Sequence, residues 1–204
     1  MAKILSVLLT GFGPFRGITE NPTESIATQL NGTHLGSVRV KSLVLPVAIS
    51  KAFIESTNAC DSSTTAILSL GVSSKIDCIH IEKRGQNHFK SDHGDIEGNG
   101  KGAWIIESNG PTHRSSTFPY QLIHEALKTA GFQNQISDDA GKYLCNWLYY
   151  KLLGKDIPVL FVHVPQVSKA WPLERLIEAT KIILLSVGDA SQSSSRSEPI
   201  GYRA

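Results

Sequence analysis

Apolar residues in this chain come in short blocks separated by polar, glycine-containing segments. Residues 3–9 are nearly all Ile, Leu and Val, which suits a strand buried on both faces of a parallel sheet. Residues 11–20 read as a loop. A helix follows, with Asn21 as N-cap, Pro22 at its first position and Glu24 completing a capping box. Residues 38–45 predict a second strand, ended by Pro46, and Ser50 is placed to cap a short helix running to Cys60. Residues 64–70 and 76–81 predict two more strands, with Gly71 punctuating the gap. Residues 120–130 and 144–153 predict helices, 158–164 a short buried strand and 173–187 an amphipathic helix.

This alternation predicts an α/β fold: a three-layer sandwich with a mainly parallel, twisted central sheet flanked by helices. A site then belongs at the carboxyl ends of the strands. Residues 83–117 are polar and rich in Gly, Asn and His, with only Trp104-Ile105-Ile106 apolar. A polar connection of that length inside a domain is often functional. The Ser-rich stretch 191–197 predicts a mobile polar tail over 189–204, after a single domain over 1–188.

Composition narrows the class. A chain of 204 residues with 41% hydrophobic and 19% charged residues has the means for a packed core. Lys plus Arg is 20 and Asp plus Glu is 18, a net +2 that argues against nucleic acid as a partner. No stretch approaches the ~20 apolar residues of a membrane helix. The apolar run at the N-terminus is too short for a signal peptide and soon meets Gly11 and Pro14, so a cytoplasmic location is expected. The three cysteines, Cys60, Cys78 and Cys145, show neither a disulfide framework nor a CxxC zinc pattern.

Few residues suggest chemistry. The Gly11-Phe12-Gly13-Pro14-Phe15-Arg16-Gly17 loop is not GxGxxG, and Pro14 lacks an N–H for phosphate. Phe12 and Phe15 suit an apolar ligand or a core equally. Cys145 follows a small, polar stretch ending at Gly141. A helix starting near Tyr143 would put its thiol in the first turn, where the dipole favours thiolate. A helix capped at Ser137 would bury it two turns in, as a small hydrophobe. Cys60 and Cys78 read as structural. His163 lies near the end of an apolar strand before Pro165, and Glu82 ends the 76–81 strand in the same manner. His88 and His93 lack partners at metal-ligand spacing, so no metal is expected. Cys145, His163 and Glu82 are the inventory of a nucleophile, a base and a group that orients the base.

Four motifs in order carry a resemblance. Leu9-Thr10-Gly11-Phe12-Gly13-Pro14-Phe15 with Asn21-Pro22, Ser116-Thr117-Phe118-Pro119, Ala140-Gly141-Lys142-Tyr143-Leu144-Cys145-Asn146 and Phe161-Val162-His163-Val164-Pro165 together resemble pyroglutamyl peptidase type I, a family of cysteine peptidases. The resemblance implies a phosphorylase/hydrolase-like sandwich and removal of an N-terminal pyroglutamyl (5-oxoprolyl) residue from peptides. Cys145 would be the nucleophile, His163 the base and Glu82 the third member. Phe12, Phe15 and Tyr143 would sandwich the lactam, beside Gly71 and Leu144, with Gly11 letting main chain approach it. No cofactor is implied, and a homo-oligomer, commonly a tetramer, is. The chain departs from the family at Gly71-Val72-Ser73-Ser74-Lys75, where Gln and Gly-Gly-Arg are usual, and at Lys83, where Arg is usual. Two other readings make distinct predictions. A catalytically impaired relative would bind pyroglutamyl peptides without turnover, and a nucleoside phosphorylase-like enzyme would survive thiol alkylation.

Overall fold

A seven-stranded sheet organises the molecule, whose computed structural model describes residues 4–194, with side chains through residue 188. In chain order the elements are β1 (Leu5–Phe12), α1 (Pro22–Leu30), β2 (His34–Leu35), β3 (Val38–Leu45), α2 (Ile49–Ala59), β4 (Thr64–Ser73) and β5 (Ile79–Glu82). Then come β6 (Arg84–Gln86), β7 (Phe89–Ser91), β8 (Gly102–Trp104), β9 (His113–Ser115) and α3 (Tyr120–Thr129). The chain continues through β10 (Asn134–Ser137), α4 (Leu144–Leu152), β11 (Val159–Pro165) and α5 (Leu173–Ser194). The strand order is β10-β5-β11-β4-β1-β3-β2. Pairings β1·β3, β1·β4, β4·β11 and β5·β10 are parallel, while β5·β11 and β2·β3 are antiparallel.

Because side chains alternate along a strand, the sheet has two apolar faces. Val7, Leu9, Leu68, Leu70, Ile79, Ile81, Leu160 and Val162 pack with residues of α1, α3 and α5. Leu8, Phe12, Leu45, Ile67 and Phe161 pack with residues of α2 and α4. This is the expected three-layer sandwich. The same parity decides the site: Gly71, His80, Glu82 and His163 occupy the α4 side, out of step with the residues facing α1 and α5.

Several boundaries move. β1 runs through Gly11 to Phe12, because α1 crosses so closely that a Cβ at Gly11 would strike the Thr23 carbonyl. Gly11 serves helix–strand packing here, not main-chain approach to a ligand. Gly71 lies inside β4 and does not break it. β5 begins at Ile79, so Cys78 precedes the strand. α2 starts at Ile49 without a side-chain cap, and Ser50 Oγ instead donates to Glu97 Oε2 at 2.6 Å. Asn21 does cap α1, accepting from the Thr23 N–H at 3.1 Å. β10 and the two small sheets β6·β9 and β7·β8 were not expected; both small sheets lie in the polar 83–117 segment. That segment has its own apolar centre, Phe89, stacked on Trp104 with ring centroids 4.2 Å apart. α5 continues past the expected end at residue 187 to Ser194. The first part of the tail expected over 189–204 therefore belongs to α5, and its remainder, 195–204, lies outside the described residues. Among those, no helix is long and apolar enough to cross a membrane.

Candidate active site

α4 opens the site. A turn with Gly141 at φ 79° redirects the chain, with the Gly141 N–H donating to Asp139 Oδ1 at 3.0 Å. Tyr143 is the N-cap residue, so Cys145 falls in the first turn, the first of the two placements open from sequence. First-turn N–H groups have no partner within the helix and face outward as donors. Tyr143 makes no side-chain cap; its hydroxyl donates to the Gly94 carbonyl at 3.1 Å. Asn146 then anchors the helix start, accepting from the Gln86 N–H at 2.7 Å and donating to the Gln86 and His88 carbonyls.

The sheet supplies the other groups. His163 pairs with Gly71 across β11·β4 and with His80 across β11·β5. A Cβ on Gly71 would sit 2.9 Å from the Cys145 sulfur and 3.0 Å from the Phe161 ring. The missing side chain thus leaves room for the thiol beside His163. Glu82 is 1% exposed, and its Oε1 accepts from His163 Nδ1 at 2.8 Å. A carboxylate only accepts, so Nδ1 carries the proton and Nε2 is left for the cysteine side. Burial disfavours the charged ring of His163. Hydrogen bonds to Cys145 and Glu82, with their charges, outweigh it and push the pKa up to about 10.

Glu82 is therefore no solvated strand end. β5 runs antiparallel to β11, which sets Glu82 opposite Phe161 inside the sheet. Its backbone carbonyl accepts from the Tyr149 hydroxyl at 2.8 Å, and Tyr149 is fully buried one turn beyond Cys145.

Above these groups lies a cavity of about 830 Å³ whose lining includes Cys145, His163, Glu82 and His80. Next to the thiol, a separate niche of about 20 Å³ is walled by Phe12, Phe15, Val47, Val72, Tyr143, Leu144 and Cys145. Phe12 and Leu144 are nearly closed off from solvent, and Phe15 and Tyr143 are half-buried. The expected Phe12, Phe15, Tyr143 and Leu144 thus converge on Cys145, while Gly71 abuts the sulfur itself. Asp95, in the polar segment, accepts from the Ile49, Glu97 and Asn99 N–H groups and organises its loop. Cys60 and Cys78 lie outside the site, and burial pushes both thiols up from the ordinary range.

A family model described as pyroglutamyl peptidase matches residues 5–175. The chain belongs to the pyroglutamyl peptidase family. It is 36% identical over 173 residues to the pyrrolidone-carboxylate peptidase of Pyrococcus furiosus, covering 81% of this chain and 83% of that one. It is 32% identical over 166 residues to the enzyme of that name from Thermococcus litoralis, covering 78% and 76%. The solved pyrrolidone carboxyl peptidase of T. litoralis superposes with a TM-score of 0.88 at 27% identity, covering 98% of this chain and all of that one. Pyroglutamyl peptidase I of Bacillus amyloliquefaciens gives 0.84 at 28% identity, covering 91% and 97%. These matches disfavour the phosphorylase-like reading.

Against this family background, four residues of the site escaped sequence reasoning. Val47 and Val72 wall the niche, but nothing distinguishes them locally from other core valines. Tyr149 and Asn146 hold Glu82 and the 86–88 segment in place. An Asn between Cys145 and Trp147 in a mostly apolar helical stretch was the one available signal.

Proposed function

We propose that the chain removes an N-terminal pyroglutamyl residue from peptides, with Cys145 as nucleophile, His163 as general base and acid, and Glu82 as the group that orients His163. The observation carrying this reading is the buried 2.8 Å Glu82–His163 pair set beneath a helix-start cysteine in a member of this family.

His163 takes the thiol proton, and the sulfur attacks the pyroglutamyl carbonyl carbon to form a C–S bond. The negative oxygen is met by first-turn N–H groups of α4; loss of one such donor in other enzymes costs ~10²–10³ in rate. As the C–N bond breaks, imidazolium gives its proton to the leaving amine. Water, deprotonated by His163, then attacks the thioester, the C–S bond breaks and the thiolate returns. Glu82 keeps Nδ1 protonated throughout and stabilises the imidazolium.

The niche explains the choice of residue. Apart from the nucleophile Cys145 itself, its wall carries no charged side chain. A neutral lactam can enter it, whereas a protonated α-amine would shed water without gaining a partner. The leaving peptide is left to the larger cavity. Three free thiols fit a reducing cytoplasm, and the family resemblance adds a homo-oligomer, a tetramer by that likeness.

The test is release of a fluorogenic amine from a pyroglutamyl amide compared with a prolyl amide. Turnover of the first alone, abolished by thiol alkylation, is expected. Equal turnover of both, or activity surviving complete alkylation of Cys145, would sink the reading.

A further inference from the structure

The niche shares Phe15, Val72, Tyr143 and Cys145 with a neighbouring cavity far larger than the ring needs, and the exposed rim of that cavity is basic. Arg16 directly follows the niche residue Phe15, and Lys142 directly precedes Tyr143. Lys75 lies in the turn just beyond Val72. All three line the cavity, are exposed and make no ion pair among the described residues.

The nearby acids are already engaged. Glu82 is bound to His163. Asp138 holds Lys83 and Arg84. Asp139, the remaining carboxylate in the lining, accepts from Gln86 Nε2 at 2.8 Å and from the Gly141 N–H. His80 contacts Gln135 at 2.7 Å, and burial lowers its pKa, so it adds no positive charge near neutrality. Outside the Glu82–His163 pair, three cations face one carboxylate.

We infer that this rim is a carboxylate-selecting subsite for the leaving peptide, so that the enzyme prefers pyroglutamyl peptides with an acid group in the first two residues after the scissile bond. The inference rests on the peptidase reading above. With the ring in the niche and the carbonyl at Cys145, the leaving chain must cross the rim. An extended residue spans about 3.5 Å, so two residues reach about 7 Å beyond the bond. The carboxylate can come from a Glu or Asp side chain or from the C-terminus of a short peptide. Each exposed ion pair supports up to about fivefold in affinity.

The experiment compares kcat/KM for C-terminally amidated pyroglutamyl-alanyl peptides with Glu, Gln or Lys as the next residue. A second arm compares pyroglutamyl-alanyl-alanine as free acid and as amide. At low salt, Glu should exceed Gln by about fivefold, mainly through KM, with Lys below both; the gap should close near 1 M salt, where screening reaches about 3 Å. The free acid should likewise exceed its amide. Replacing Arg16, Lys75 and Lys142 together by Gln should bring the Glu-to-Gln ratio to about one. If that variant does not fold, Lys75→Gln alone, in an exposed turn, should lower the ratio.

Equal kcat/KM for Glu and Gln peptides, or a preference for Lys, would overturn the subsite and leave the peptidase reading standing. A preference for Glu that survives the substitutions would also overturn it. Cleavage of none of the peptides would overturn the peptidase reading and the subsite with it.

Discussion

The Tyr149 hydroxyl donates to the Glu82 carbonyl across 2.8 Å, joining the helix that carries the thiol to the strand that carries the acid. One rigid element therefore sets the distance between two members of the proposed triad. Tyr149→Phe removes a donor to a buried carbonyl. We expect a stability loss of about 1–3 kcal/mol. Because Glu82 would be held less firmly, kcat should fall more than KM rises. Chemical unfolding together with steady-state kinetics checks both. A stability loss with unchanged kcat would make Tyr149 structural only.

The His163 pKa of about 10 fixes the sign of a pH effect. Leaving-group protonation needs imidazolium, so kcat/KM should fall as pH rises through that value. Glu82→Gln removes a hydrogen-bonded anion that raises it, and the alkaline fall should move to lower pH. Weaker imidazolium also supports thiolate less, so alkylation of Cys145 near neutral pH should slow. The linkage has the same sign: a raised His pKa contributes stability that is complete below about pH 6.5 and is lost towards pH 10. Glu82→Gln should flatten that slope. Identical pH profiles in the two proteins would remove Glu82 from the triad.

Reactivity should separate the three thiols. Burial raises Cys60 and Cys78, while Cys145 faces the cavity beside His163. One equivalent of iodoacetamide at neutral pH should label Cys145 first, as read by peptide mapping. Cys145→Ala should abolish turnover in a folded protein, and Cys60→Ser and Cys78→Ser should retain most of it.

Gly71 is the tightest position around the nucleophile. Gly71→Ala would press a methyl against the Cys145 sulfur and the Phe161 ring, both at about van der Waals overlap. We expect about 1–3 kcal/mol of destabilisation, typical of overpacking. Turnover should fall by more than the folded fraction accounts for. Full specific activity per folded molecule would show that the thiol has slack.

Phe12 and Phe15 should differ although both wall the niche. Phe12 is 3% exposed and belongs to the core with Leu8 and Leu45, so Phe12→Ala should cost about 3–5 kcal/mol as well as substrate affinity. Half-buried Phe15 should lose mainly affinity. Melting temperatures set beside KM values separate the two effects.

The strands and helices of the sandwich were legible where apolar residues form an unbroken run, as in β1 and β11, or a helix-length stretch, as in α3. Cys145, His163 and Glu82 were legible because each stands at the end of such a block. Pairing direction was not, since nothing within residues 79–82 says that β5 runs against β11. Gly11 and Gly71 read as breaks, yet each is a point of close packing set by a partner distant in sequence. The strands of 83–117 were missed because they are three residues long and held by side chains elsewhere. Asn146 grips their backbone, and Glu107 is paired with Arg114 and Lys151.

The niche beside Cys145 has space for about one water. A five-membered lactam is several times larger, so part of the wall must yield to admit it. Phe12, Leu144, Val47 and Val72 are buried and Tyr143 is tied to the Gly94 carbonyl, which leaves half-buried Phe15 as the most movable panel. Recognition then has a fixed anvil and an adaptable hammer. Slow-onset inhibition by rigid lactam analogues is the behaviour such a latch produces.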